Sequence, residues 1–339
     1  MTADRSARPA AVVAVDGGAS KTDVWVVAAD GTLLGTARGG GSNHQLCGLD
    51  GALEVLAATI AAALEDAGAS AAERPGTGVY CLAGVDLDGD EARLGEAIAS
   101  RGWTTTDIVR NDSLAILRAG ARAGWGVAVV CGSGINCVGL GPDGSIVRFP
   151  SLGELSGDFA AGGSWLGVRA LGLALRSRDG RGRPTLLADR VPAHFGLDDP
   201  EAVLAAVYTG TLPYGRLVEL ARVCLETAAE GDEVADSAVT FLADEVVTLV
   251  RATLRRLGVS GQATEVVLGG GLFDSVHPGF ARAVETSVRA FAPRVEFRRL
   301  SGPPVLGAAL LGLDAVDAPD DAGRRLREMA PGAGPTPRG

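Results

Sequence analysis

Lysine is almost missing from this chain of 339 residues. Of its 31 basic side chains, only Lys21 is a lysine, so a surface studded with ammonium groups is excluded. A basic stripe of any kind is scarce, because 41 acidic residues outweigh the basic ones and leave a net charge of −10. That balance argues against nucleic acid or an anionic membrane as partner. Cysteine is sparse and odd in number: Cys47, Cys81, Cys131, Cys137 and Cys224 include no C-x-x-C pair. A structural zinc site is therefore not expected, and a reduced, cytosolic protein is. No apolar run reaches the length of a membrane span, and the opening MTADRSARPA has no hydrophobic region of signal-peptide type. A Walker loop is lacking too, since G-x-x-x-x-G-K-[ST] occurs nowhere. Gly139–Gly144 does match G-x-G-x-x-G, but it lies between two expected strands and opens no helix, which excludes a dinucleotide fingerprint. What remains is ordinary globular composition, 47% hydrophobic and 21% charged, in a chain long enough for two domains.

The stretch around which the chain is organised is VVAVDGGASKTD, from Val12 to Asp23. Its apolar start reads as a buried strand that Asp16 ends. Gly17 and Gly18 let the backbone turn or approach a ligand closely. Ser20, Lys21 and Thr22 then set two hydroxyls and the lone ammonium where the chain reverses. Val24–Ala28 resumes a strand, and Asp30-Gly31 turns it into a third at Thr32–Leu34. The plain reading is a hairpin with a polar turn. The functional one is a cradle for a polyphosphate, which a compact ammonium suits.

The same pattern returns downstream. Val127–Val130 is a strand, Cys131-Gly132-Ser133-Gly134 a small-residue loop, and Asn136–Leu140 the next strand. Pro142-Asp143-Gly144 turns the chain into Ser145–Val147. Two copies of one unit imply duplication, with two glycine loops facing into one cleft. Strands and helices alternate in between, as a mostly parallel sheet requires. Asp50 is a candidate cap for a helix through Leu53, Leu56, Ala57, Ile60 and Leu64 that ends at Gly68. Asp112 stands at the carboxyl end of a strand, where α/β folds place ligand chemistry, and equally where a helix wants a cap. The two roles need different atoms and can coexist. Residues 120–126, with three glycines, read as a hinge. Phe149–Trp165 is a long polar loop holding Glu154 and Asp158, followed by a helix over Leu166–Leu175. A helical region covers Pro200–Leu257. The strand Glu265–Leu268 then runs into Gly269-Gly270-Gly271, bare backbone on which a flat ring can lie, or else a tight turn. A last strand over Val295–Leu300 precedes a helix that ends near Leu313. The expected division is 1–118, 119–314 with a helical insertion, and a disordered tail over 315–339.

Taken together, DGGASKTD, GGSNH, NDSLAI, CGSGINC, GELSGD and VLGGGLFDS resemble the BadF/BadG/BcrA/BcrD-type ATPase family, and within it the N-acetylglucosamine kinases. The resemblance implies an α/β fold of two duplicated actin-like (ribonuclease-H-like) domains with a cleft between them. It also implies ATP and Mg²⁺ as cofactors, an amino sugar as partner and a homodimer. By resemblance, Gly17, Gly18, Ser20, Lys21 and Thr22 form the first phosphate loop. Gly132, Ser133 and Gly134 form the second. Asp16 would hold the magnesium-bound phosphates through water. Ala228, Gly270, Gly271 and Ser275 fall on the nucleoside side. Asn43, His44, Asp112, Ile135, Asn136, Ser151, Leu152, Gly153, Glu154 and Asp158 fall on the sugar side. Asp112 is the expected catalytic base, taking a proton from the attacking sugar hydroxyl.

The likeness breaks at one place. Many relatives follow the Gly-Asp pair with Glu-Gly-Ser, whereas Gly157-Asp158 is followed here by Phe159-Ala-Ala, and Glu154 stands where relatives often have histidine. Both changes fall in the sugar loop, so phosphoryl transfer is a firmer expectation than the identity of the acceptor. The same family includes ATP-driven activators of radical dehydratases and reductases, which need cysteine ligands shared across a dimer. Cys131 and Cys137 are expected in strand packing instead. A non-catalytic actin-like sensor is the third alternative.

Overall fold

The computed structural model describes residues 8–69, 74–87, 89–274, 278–300 and 302–330. Its first sheet comprises β1 (Val12–Gly17), β2 (Thr22–Val27), β3 (Leu33–Gly39), β4 (Thr77–Leu82) and β5 (Thr106–Asn111), in the order β3-β2-β1-β4-β5. The first three strands form an antiparallel meander, and β4 and β5 run parallel to β1. Along β1, Val12 and Ala14 belong to one core and Val13 and Val15 to the other, all fully buried. A sheet buried on both faces needs helices on both. Helices α1 (His44–Asp66) and α2 (Asp90–Ala99) bring Leu53, Leu56, Ile60, Leu94 and Ile98 to the Val13 side. Opposite them, α3 (Asp112–Gly120), α10 (Val305–Ala315) and α11 (Ala322–Met329) supply Ala115, Leu306, Leu310 and Leu326.

The second sheet repeats the plan with β6 (Gly126–Cys131), β7 (Ile135–Leu140), β8 (Ile146–Arg148), β9 (Glu265–Gly269) and β10 (Glu296–Arg299). Its order, β10-β9-β6-β7-β8, is the first sheet's order read backwards, with β9 parallel to β6 and β8 antiparallel to β7. The duplication expected from the glycine loops is thus present in the strand topology. Helices α4 (Gly162–Arg178), α5 (Leu187–Phe195), α6 (Pro200–Tyr208), α7 (Leu220–Ala229), α8 (Glu233–Arg256) and α9 (Pro278–Phe291) complete this half. Helix α8 approaches β7 so closely that a Cβ on Gly139 would clash with the Thr253 methyl, and Cys137 Sγ lies 3.3 Å from Thr253 Oγ1.

Several boundaries differ from the sequence expectation. The chain divides into one unit of residues 1–126 with 298–339 and another of residues 127–297, rather than at 118/119 and 314/315. Residues 305–315 return to the first sheet because α10 is apolar almost all round and needs burial on every side. Gly307 is what admits it, since a Cβ there would overlap the Ala115 carbonyl. The expected disordered tail contains α11, whose Ala322 and Leu326 are fully buried, while 331–339 lie outside the described residues. Helix α1 starts at Asn43, whose Oδ1 accepts from Gln45 N at 2.9 Å, and not at Asp50. It bends at Gly48, where φ is +76°. Its 23 residues are long and apolar enough to cross a membrane by composition alone, contrary to expectation, but Leu53, Leu56 and Ile60 are buried on the sheet. Helix α4 begins at Gly162, four residues before the expected Leu166.

Candidate active site

The first unit gathers its chemistry at the carboxyl ends of its parallel strands. The register pairs Gly17 with Leu82 and Leu82 with Asn111, so Asp16 and Asp112 flank one edge two strand spacings apart, about 10 Å between backbones. The bend after β1 closes with Gly18 N donating to Lys21 O at 2.8 Å. Gly17 has no room for a side chain, because a Cβ would meet Ser42 Oγ and Leu82 Cδ2. Ser20 is exposed, and Lys21 Nζ is 2.7 Å from Asp23 Oδ2 with its side chain 44% exposed. Asp23 is gripped from its other side by Arg38 at 2.5 Å, and these partners hold its carboxyl below the usual range against the opposing effect of burial. Thr22 is fully buried, its hydroxyl donating to Gly40 O at 2.8 Å and lying 2.8 Å from the Ser42 hydroxyl, which can donate in return. That hydroxyl braces the bend from within.

Asp16 accepts no hydrogen bond from a described side chain. Burial, reinforced by the charge of Asp112, pushes its carboxyl up to about 7 against the pull of Lys21. Asp112 is pushed up to about 6 by burial and by the charge of Asp86. Its position follows from the residue before it. Asn111, not Asp112, caps α3: its Oδ1 accepts from Ser113 N at 3.0 Å. The Asn111 amide donates to Val85 O and Asp86 Oδ1 at 3.0 and 3.1 Å. Asp112 is thus a partly buried carboxylate in the first turn of α3, where the backbone N–H groups of Ser113 and of Asp112 itself pull its pKa down without overcoming burial. Asn43 and His44 stand by the same edge, since a Cβ on Gly84 would lie 2.8 Å from Asn43 Oδ1 and 3.2 Å from His44 Cε1. Asp86 and Gln45, which the sequence reading missed, join them through a 3.3 Å hydrogen bond. Only the position of Asp86, four residues past β4, could have flagged it.

In the second unit the loop after β6 is fastened by backbone. Gly132 N donates to Gly134 O, Gly163 N to Gly132 O and Ser164 N to Ser133 O, at 2.8 to 2.9 Å. Ser133 and Gly134 remain exposed. Pairing of Val130 with Gly269 sets the turn after β9 beside this loop, and Leu272 N donates to Cys131 O at 3.1 Å. Gly270 takes φ +94° there, where a Cβ would lie 2.5 Å from Cys131 O, and Gly271 faces open space. Gly132, Ser133, Gly163 and Gly271 line a cavity of about 730 Å³. Its apolar walls are Val218, Ala221, Leu225 and Leu272, and its polar ones are His194, Glu219, Arg222 and Asp274. Sequence reasoning found the glycines but none of the helical wall, because α5 and α7 carry no motif and meet only through folding. Ala228 is buried one turn beyond Leu225 and does not line the cavity, and Ser275 lies outside the described residues.

The loop before α4 is more ordered than a polar linker. Gly153–Ser156 forms a 3₁₀ turn, and Ser156 Oγ donates to Asp158 at 2.5 Å. Asp158 is 5% exposed, whereas Glu154 and Leu152 face solvent. Ser151 takes φ +53° and donates to Asn136 Oδ1 at 3.0 Å, and the neighbouring Ile135 is buried. Glu245 of α8, absent from the sequence reading, accepts from the Phe159 amide, and burial together with the charge of Asp158 raises its carboxyl. Cys131 and Cys137 are both fully buried, with burial pushing each thiol up to about 12. Neither is disposed as a ligand. Among the described residues no three His, Cys, Asp or Glu side chains converge on a metal.

Comparison with known proteins places this geometry in context. The chain is 26% identical over 311 residues to an N-acetylmuramic acid/N-acetylglucosamine kinase of Clostridium acetobutylicum, covering 90% of this chain and 99% of that one. It is 23% identical over 314 residues to an N-acetyl-D-glucosamine kinase of Dictyostelium discoideum, covering 89% and 98%. The solved structure of a Chromobacterium violaceum protein, provisionally named an N-acetylglucosamine kinase, superposes with a TM-score of 0.67 at 27% identity, covering 90% and 99%. A family model for the BadF/BadG/BcrA/BcrD ATPases matches residues 13–312, which takes in both sheets and both glycine bends. The chain therefore belongs to the BadF/BadG/BcrA/BcrD ATPase family.

Proposed function

We propose that this protein is an ATP-dependent sugar kinase that transfers the γ-phosphoryl group to a hydroxyl, the 6-hydroxyl by preference, of an amino sugar such as N-acetylglucosamine or glucosamine. The observation that carries the reading is Asp112, a carboxylate in the first turn of α3 poised at about 6. A sugar hydroxyl is a weak nucleophile at neutral pH. A carboxylate with that pKa is ionised in the cell yet basic enough to orient the hydroxyl and take its proton. End-to-end similarity to two named N-acetylglucosamine kinases supports the same assignment.

The remaining roles follow from charge and exposure. Ser20 and the amides of the first bend offer hydrogen bonds to phosphate oxygens, and Lys21 offers its ammonium once Asp23 releases it. Ser133 and Gly134 offer an exposed hydroxyl and amides from the second loop. The 730 Å³ cavity beside that loop suits a nucleoside, being apolar along one wall with bare glycine backbone at its edge. Asp16 fits Mg²⁺ held through water, because its carboxylate lacks a side-chain donor and is loaded by the charge of Asp112. Bound there, Mg²⁺ would neutralise charge on the phosphate oxygens. Asp158, held by Ser156, is the second carboxylate for sugar hydroxyls. Five free thiols, four of them buried, suit a reducing cytoplasm.

The test is ADP release from Mg·ATP across hexoses, hexosamines and N-acetylhexosamines. Turnover that rises at least tenfold with one amino sugar supports the assignment. Slow hydrolysis that no sugar stimulates would sink it in favour of a sensor.

A further inference from the structure

Asp86 ties together two segments of the first unit that are far apart in sequence. Its Oδ1 accepts from Asn111 Nδ2 at 3.1 Å, and its Oδ2 accepts from Gln45 Nε2 at 3.3 Å. The backbone around it is held in turn, since Asp86 N and Leu87 N donate to Asp90 Oδ2 at 3.1 and 2.8 Å. Each arm of the bridge ends beside a residue read above as touching sugar. Asn111 directly precedes Asp112, and both ends of its buried amide are engaged, the nitrogen by Val85 O and Asp86, the oxygen by Ser113 N. On the other arm, Gln45 N donates to Asn43 Oδ1 at 2.9 Å, which leaves Asn43 Nδ2 without a partner among the described residues. A donor at 43 and an acceptor at 112 suit two hydroxyls of one sugar. Both arms reach position 86 with N–H donors. A carboxylate meets them with two acceptor oxygens, whereas an amide could meet only one. Burial, with the charge of Asp90, raises the Asp86 carboxyl, and the bonds from Gln45 and Asn111 work against that.

Resting on the kinase reading above, we propose that Asp86 is a positioning residue that fixes Asn43 relative to Asp112 and so holds the acceptor hydroxyl against its base. Both of its oxygens are occupied by the protein, so its part is to hold its neighbours rather than the sugar. The reacting hydroxyl must come within about 3 Å of the base, and misplacement by about 1 Å can cost about 10²-fold in rate. One side chain that grips both sugar-side segments limits that misplacement.

Steady-state kinetics with the amino sugar that best stimulates ADP release tests this. Asp86→Ala cuts both arms, and should lower kcat at least about tenfold and raise sugar KM about five- to tenfold. ADP affinity, read by calorimetry, should stay within about twofold, because the nucleotide cavity is lined by residues of the second unit. Gln45→Ala cuts only the arm to Asn43, so it should raise sugar KM with a smaller change in kcat. Asp86→Asn keeps the shape and one acceptor. It should lower kcat/KM for sugar at least about threefold, and it decides the matter if the alanine variant does not fold. A folded Asp86 variant with unaltered kcat and sugar KM overturns the proposal, whatever its melting temperature. So does a variant that loses ADP affinity in step with turnover, or failure of both to fold, since either makes Asp86 a prop of the fold alone. An unaltered chain that no amino sugar stimulates overturns the kinase reading itself, and this inference with it.

Discussion

Asn111 caps the helix that Asp112 opens, and that division of labour can be measured. Asn111→Ala removes the cap of α3 and the bridge to Asp86, and should lower stability by about 1–2 kcal/mol in urea unfolding. Asp112→Asn should lower kcat by about 10²- to 10⁴-fold while ADP affinity, read by calorimetry, stays within about twofold. Near-normal turnover in that variant would remove Asp112 from the chemistry. Because the base works ionised, kcat should fall as pH drops through about 6. Asp16 makes a separate prediction about stability. Its folded pKa of about 7 exceeds the ordinary 3.8, so the folded chain binds that proton more tightly. The resulting penalty is absent well below pH 3.8, grows as pH rises, and is complete only above 7. Asp16→Asn should therefore stabilise the chain more at pH 8 than at pH 5, by about 1–3 kcal/mol after allowance for partial exposure. At this scale the sequence was half legible. Asp112 stood out at a strand end, but Asn and Asp cap equally well, and only the folded turn shows which of the two does so.

Among elements, the tightest fits involve glycine. Gly17→Ala would drive a methyl group into Ser42 Oγ and Leu82, so the first bend should open and stability fall by about 1–3 kcal/mol, with nucleotide affinity lost in step. Thermal melts with and without ADP check both effects. Strand positions were readable because runs such as Val12–Val15 and Val24–Val27 supply β-branched residues to two cores at once. The start of α1 was misread because Asp50 is a good cap in isolation, while Asn43 lies ahead of a bend that glycine at 48 makes possible. Helices α5 and α11 escaped notice, being only 9 and 8 residues long. So short a segment carries little periodicity, and tertiary contact rather than propensity keeps it helical.

For the whole molecule, duplication was legible because each copy places small residues at the same point after its first strand. The return of α10 to the first sheet was not, since an apolar helix does not say which core it will fill. Removal of the chain beyond Val316 should expose the surface under Leu326 and delete the hydrogen bond from Arg327 to Arg118 O at 3.0 Å. A loss of about 2–4 kcal/mol in urea unfolding is expected from the apolar area alone. The cavity wall shows the general limit. His194, Glu219 and Leu225 come from separate segments, and no local pattern announces that they will share one space.

The scarcity of lysine has a practical corollary. An acylating reagent added to this protein finds a single side-chain amine, and that amine stands in the bend after β1, bound to Asp23 at 2.7 Å. Its rate of modification, followed by mass spectrometry, reports how often that ion pair opens, and slowing by a bound triphosphate would mark the moment the ammonium changes partners.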